Sequence, residues 1–465
     1  MTTSTNPIRT PDTNSPRIMT NRGVWLVVLN VLFPGSVQAI AGNRRLGRIG
    51  LASTLAAWAI VIILLVLNGL AQTFVLTLAT NPFFLVLAQI ALVYYAILWV
   101  VLTLDTLRLV RIVKTGPRAR YWIPGVAVVL VAVLSGGSVY ASTLAGGVSR
   151  LVGDLGVAGP AVAPVDGHYN FIVLGVDSDK QRVKDGLNMR PDSMQVVSVD
   201  ANTGKIFSFS FPRDLHNIPF PASSPMHKIY PDGYTESSAD YCDEWACLNT
   251  VYVDAELNHA DLYPQAKKLG VSPGVFAMMD AAEGITGLKI QFYAIADMQG
   301  LVSLIDALGG VDINVPYRVG LANMDVPDSQ VRYWIPAGQQ HLDGWHALMF
   351  ARSRHAATGD YERMKRQQLL MAALQKQMNP MNVLAKFQEV SKSGGRVLKT
   401  NIPQPMFGTL AEIAMKARKA GYTGVAFTPY SDQFKIYPHD PSFSKIKNYI
   451  RSLLYPPTPS PTPSN

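Results

Sequence analysis

The sequence predicts an α/β/α layered mixed sheet preceded by an α-helical multi-span transmembrane region. Three observations lead there. Residues 51–70, 83–104 and 121–139 are nearly free of charge, and each run is close to the ~20 residues that cross a bilayer as a helix. From His168 onward, apolar runs of strand length alternate with longer helical patterns, which is the signature of β-α-β units. One pair of adjacent runs is joined by the short polar turn Ala201-Asn202-Thr203-Gly204, so a hairpin is built into the same sheet.

In chain order, residues 1–22 form a polar tail and residues 23–145 the membrane region. Residues 24–43 are apolar but interrupted by Pro34-Gly35, and both a fourth span and a re-entrant hairpin fit that pattern. Arg44, Arg45 and Arg48 fill one loop, and Arg108, Arg111, Lys114, Arg118 and Arg120 fill another, whereas residues 68–81 carry no charge. Basic loops stay on the cytoplasmic side. The span 121–139 therefore runs outward, and everything after it is expected on the extracytoplasmic face; the same count favours the re-entrant form of residues 24–43. Much of the +9 formal charge sits in these loops, where topology accounts for it and no nucleic-acid partner is implied.

Residues 146–166, rich in Gly, Ala, Val and Pro, read as a linker, residues 167–455 as the soluble domain, and 456–465 (PPTPSPTPSN) as a disordered tail. The only cysteines, Cys242 and Cys247, fall in the part placed outside, and a short-loop disulfide is expected there. No spaced Cys/His quartet accompanies them for zinc. Residues 170–177, 194–200 and 205–212 are expected strands, the last two forming the hairpin, and 289–297 and 311–316 two more. Residues 298–308 make a helix ended by Gly309-Gly310, and 343–351 and 361–378 are helical.

Arginine and aspartate gather at the ends of these elements. Asp177 closes the first strand, Arg190 and Asp192 precede the second, Arg213 and Asp214 follow the third, and Arg352, Arg354, Asp360, Arg363, Arg366 and Gln367 cluster later. A hairpin brings the residues before its first strand and after its second to one sheet edge, so Arg190, Asp192 and Arg213 are expected as neighbours. Helical spacing sets Asp360, Arg363 and Arg366 or Gln367 roughly along one face. Guanidinium forks bind phosphate oxygens and keep their charge, and paired carboxylates hold Mg²⁺ against phosphates. The arrangement reads as a pyrophosphate site; each pair taken singly would be an ordinary surface ion pair.

At these residues the sequence resembles the LytR-CpsA-Psr (LCP) proteins of bacterial cell envelopes. The matching stretches are NFIVLGVDS, RPDSMQVVSVD, FSFPRDL, HKIY, LNTVY, LIDALGGVDINV, AGQQHLDGWHALMFARSR and GDYERMKRQQ, in family order over residues 169–378. The resemblance implies a membrane-attached phosphotransferase. Such enzymes move a glycopolymer from a polyprenyl-pyrophosphate carrier to a sugar hydroxyl of peptidoglycan, forming a phosphodiester. It implies that Asp177 and Asp192 bind Mg²⁺, that Arg190, Arg213, Arg352 and Arg354 bind the pyrophosphate, and that Asp360, Arg363 and Gln367 are further site residues. Lys228, in HKIY, matches a family lysine.

Asp214 and Asp360 are both candidates for the proton acceptor. The resemblance also implies an apolar pocket for the isoprenoid tail. Phe276, Met278, Met279, Leu301, Leu304 and Ile305 are candidates for its lining, though a closed core needs the same residue types. Two alternatives use the same residues: a pyrophosphatase with water as acceptor, and a non-catalytic lipid-binding membrane regulator.

Overall fold

The computed structural model describes residues 9, 11–176, 191–235, 247–323, 325–355, 358–377 and 398–456. The chain divides into two compact units, residues 1–150 and 151–465.

In the first unit, α1 (Pro16–Leu32) turns at Pro34-Gly35 into the short α2 (Ser36–Ala41). Gly35 has φ of 95°, and a Cβ there would lie 2.4 Å from the Leu51 backbone nitrogen, so this break depends on glycine twice over. Then come α3 (Arg44–Leu70), α4 (Gln72–Thr80), α5 (Pro82–Val110) and α6 (Ala119–Leu155). Three of these helices, α3, α5 and α6, are long and apolar enough to cross a membrane. Their outward side chains are large and apolar, as at Leu65 and Ile90. Polar groups turn inward instead: the Gln38 amide donates to Leu102 O at 2.9 Å and Thr106 Oγ1 at 3.0 Å. The expected linker is shorter than the sequence implied. Residues 141–155 contain no proline, and helix α6 runs on to Leu155.

The second unit is built on a six-stranded mixed sheet. Its strands are β1 (His168–Val176), β2 (Pro191–Asp200), β3 (Ile206–Phe211), β4 (Phe292–Asp297), β9 (Leu398–Thr400) and β10 (Tyr422–Ala426), in the order β10-β3-β2-β1-β4-β9. Strands β1 and β2 pair antiparallel, as do β2 and β3, giving the expected hairpin. Parallel pairs join β1 to β4 and β10 to β3. Smaller ladders pair β5 (Val311–Val315) with β8 (Gly338–Leu342) and β6 (Val319–Gly320) with β7 (Trp334–Ile335).

Strand alternation gives the sheet two unlike faces. Ile172, Leu174, Met194, Val196, Phe207 and Phe209 point to one side, into the main core with α7 (Leu248–Leu257), α8 (Pro273–Thr286) and α13 (Phe443–Leu454). The other face is smaller and more polar. Val173, Gly175, Ser193, Gln195 and Ala296 open there onto a cavity, roofed by α9 (Met298–Leu308), α10 (Gly344–Arg352) and α11 (Asp360–Gln377). On the same face α12 (Met406–Ala420) packs on Tyr169 and Phe292. Gly344 lets α10 sit directly on α9, since a Cβ there would fall 2.2 Å from Val302 O.

Candidate active site

The cavity encloses about 730 Å³, in the range of sites that hold a drug-sized ligand. Its lining includes the apolar side chains of Val173, Met298, Leu301, Leu348, Leu370 and Met371. The same lining carries Asp192, Arg213, Arg352, Arg354, Arg363 and Gln367.

Local structure explains the convergence. Arg213 follows β3 and Asp192 lies at the start of β2, at the same edge of the sheet. Arg352 ends α10 and Asp360 begins α11, so both helices deliver their polar ends to that edge. Asp360 then ties the set together. Its Oδ1 is 2.9 Å from Arg354 Nε, and its Oδ2 lies 2.9 Å from Arg363 Nη2 and 3.4 Å from Arg213 Nε. Arg213 Nη1 also reaches Asp192 Oδ1 at 3.5 Å. Arg363 donates to Asp192 O at 2.8 Å, fastening α11 to β2. Burial, more than any neighbour, pulls the Arg363 guanidinium down to about 10, which leaves it charged at neutral pH.

Several expectations change here. Arg366 is not at the cavity: it is fully buried, and its donors go to Phe350 O at 2.9 Å, Tyr317 Oη at 3.2 Å and Ser353 O. It pins the segment that carries Arg352 and Arg354. Lys228 is exposed on the helix Pro225–Ile229 and does not line the cavity. Among the six candidates for an apolar lining, only Leu301 reaches the cavity. Phe276, Met278 and Met279 pack in the main core across the sheet, Ile305 lies in a separate core beneath α10 and α11, and Leu304 packs near Leu151. The spacing of helical residues does not tell which face of the sheet a helix covers. Asp177, Arg190 and Cys242 lie outside the described residues; Cys247 is disulfide-bonded.

A metal would need more than Asp192. That carboxylate touches Arg213 only at the limit of hydrogen bonding and keeps coordinating capacity. Among the described residues, however, no group of three or more His, Cys, Asp or Glu side chains gathers.

Next to the arginine cluster stands the sequence candidate Asp214, with neighbours that the sequence does not single out. Asp214 is half-buried beside Tyr361, His216 and His439. Burial pushes its carboxyl above the ordinary aspartate range and the nearby Asp360 charge adds to this, while its own backbone N–H, Arg213 and His439 pull the other way. Burial, with the Asp214 charge, takes the Tyr361 phenol to about 12. The signal for Tyr361 was its place directly after Asp360; His439 had none.

Residues 159–436 match the model of the LytR_cpsA_psr family. The chain is 28% identical over 252 residues to the cell wall biosynthesis protein LcpA of Corynebacterium glutamicum, covering 49% of this chain and 44% of that protein. It is 30% identical over 235 residues to the polyisoprenyl-teichoic acid–peptidoglycan teichoic acid transferase TagV of Bacillus subtilis, covering 50% of each. The chain thus spans about half the length of these curated relatives. Among solved structures, Bacillus subtilis TagV superposes with a TM-score of 0.41 at 18% identity, over 63% of this chain and 100% of that one. A structure of TagT bound to LIIa-WTA gives 0.40 at 17%, over 63% and 93%.

Proposed function

This chain belongs to the LytR_cpsA_psr family, and from that membership we propose that it is a membrane-anchored phosphotransferase. It moves a cell-wall glycopolymer from a polyprenyl-pyrophosphate carrier onto a peptidoglycan sugar hydroxyl, on the extracytoplasmic face of the membrane it spans several times. The observation that carries this reading is the cavity, whose lining combines four guanidiniums with a set of apolar side chains. That shape and charge suit an amphiphile with a pyrophosphate head and an isoprenoid tail.

Arg213, Arg352, Arg354 and Arg363 bind the phosphate oxygens in forks and hold them against the charge that develops in transfer. Asp360 keeps three of those guanidiniums aimed without a large rearrangement when substrate enters. The apolar side chains take the first isoprene units and keep water from the reacting phosphorus. Arg190 is proposed to join the guanidinium set. Asp192, with Asp177, would hold a Mg²⁺ ion, which supplies further neutralisation of the pyrophosphate.

The test uses the full chain in detergent with a polyprenyl-pyrophosphate glycan and peptidoglycan glycan fragments, with and without EDTA. Attachment of polymer to the fragments, with release of polyprenyl phosphate, is expected, along with loss of transfer in Arg213→Ala and Arg352→Ala. Release of polyprenyl phosphate with nothing attached would make the enzyme a pyrophosphatase. Unchanged transfer in EDTA would remove the metal.

A further inference from the structure

The phosphate site uses one member of each of two adjacent residue pairs. In Arg213-Asp214 and Asp360-Tyr361 the first-named residues meet in an ion pair of 3.4 Å. Their chain neighbours, Asp214 and Tyr361, meet side chain to side chain in a hydrogen bond, and neither lines the cavity. Beyond them lies Tyr430, 53% exposed, whose ring is 5.5 Å from that of Tyr361. The exposed imidazole of His439 stands 4.8 Å from His216, centre to centre. None of these groups lines the donor cavity. An exposed aromatic ring, hydroxyl and imidazole donors, and one recessed carboxylate make a surface that receives a sugar ring.

Resting on the transferase reading above, we propose that Asp214, Tyr361, Tyr430 and His439 form the subsite for the acceptor sugar, with Asp214 taking the proton of the attacking hydroxyl. In that step the acceptor O–H proton passes to Asp214 and the acceptor oxygen bonds to the glycan-side phosphorus. The bridging P–O bond breaks, and its electron pair leaves with the polyprenyl phosphate. Asp360 is the poorer proton acceptor, because both of its oxygens already carry guanidiniums. Asp214 enters none of these ion pairs among the described residues. Its depth suits a group that must meet a hydroxyl brought in from the open side.

The experiment uses the full chain in detergent and reads three quantities: binding of the pyrophosphate donor, KM for peptidoglycan glycan fragments, and kcat of transfer. Asp214→Asn keeps the side chain's shape and an acceptor oxygen. It is expected to lower kcat by about 100-fold or more with donor binding held within about threefold, and Asp214→Glu should recover part of the loss. Tyr430→Ala is expected to raise the fragments' KM by about tenfold, more than it changes kcat. Wild-type kcat in Asp214→Asn overturns the proposal. So does a loss of donor binding in step with kcat, which would make Asp214 a prop for Arg213. If wild-type enzyme transfers while both variants match it, only the subsite fails; if wild-type enzyme attaches nothing to any fragment, the transferase reading fails first.

Discussion

In the proposed mechanism Asp360 and Asp214, two carboxylates of one cluster, have different tasks. Asp360 holds Arg213, Arg354 and Arg363 in one place, where they would otherwise repel one another. Removing its charge in Asp360→Asn leaves that repulsion uncompensated. We expect kcat/KM for the donor to fall by about 100-fold and thermal stability to fall with it, because Arg363 is buried and loses its carboxylate partner; a steady-state titration of donor and a thermal melt check the two effects. For Asp214 the sign of the pH effect follows from the active form. A proton acceptor works only when ionised, and burial holds this carboxyl above the ordinary aspartate range. Transfer should therefore fall as pH is lowered through a point higher than a free aspartate would give. The groups facing Asp214 are Asp360 and Tyr361 from α11, Arg213 and His216 from the segment after β3, and His439 from the segment after β10. The His439 charge pulls the Asp214 carboxyl down, so a pH profile in which His439→Gln moves the acid limb slightly upward and Asp214→Asn abolishes it is the expected result. An acid limb that survives in Asp214→Asn belongs to another group.

At the scale of the element, Arg366 separates what the sequence could tell from what it could not. Its guanidinium satisfies Phe350 O in the last turn of α10 and Ser353 O just after it. Arg366→Met leaves those carbonyls buried without donors and should cost about 3 kcal/mol. Thermal unfolding would then shift down by several degrees, and donor affinity would fall because Arg352 and Arg354 ride on the same segment. A variant that unfolds at the wild-type temperature rules this role out. Helical spacing sets Asp360 and Arg363 along one face with Arg366 or Gln367, and with each residue turning the helix by about 100° the two alternatives diverge. Arg366 lies on the far flank of Arg363 from Gln367, and only Arg363, Gln367, Leu370 and Met371 face the cavity. The strand-end pair Asp192 and Arg213 is easier to read. Alternating apolar residues in β2 and β3 and a polar turn between them bring Asp192 and Arg213 to one edge, whatever packs on the sheet. The helix side was not legible in the same way. Phe276 and Leu301 come from helices of similar apolarity but lie on opposite faces of the sheet, a choice made by chain crossing and not by composition.

For the whole molecule, the question is what the apolar helices add to a unit that already owns its core and its cavity. The second unit buries a continuous apolar cluster from β1, β2, β3 and their helices within residues 151–465, and every residue that lines the cavity belongs to it. The proposed polyprenyl donor, however, stays in its bilayer, and an enzyme anchored in the same bilayer would meet it at an effective concentration that a free domain does not reach. The two contributions are separable by changing the state of the donor. With a short-chain donor dispersed in detergent, a fragment of residues 151–465 should turn over like the full chain. With a long-chain donor in vesicles, the same fragment should lose kcat/KM by about 100-fold, and fusing it to an unrelated membrane span should restore most of that loss. Equal losses on both donors would mean that residues 1–150 shape the site itself. Failure of an unrelated span to restore activity would mean that these particular helices handle the lipid directly.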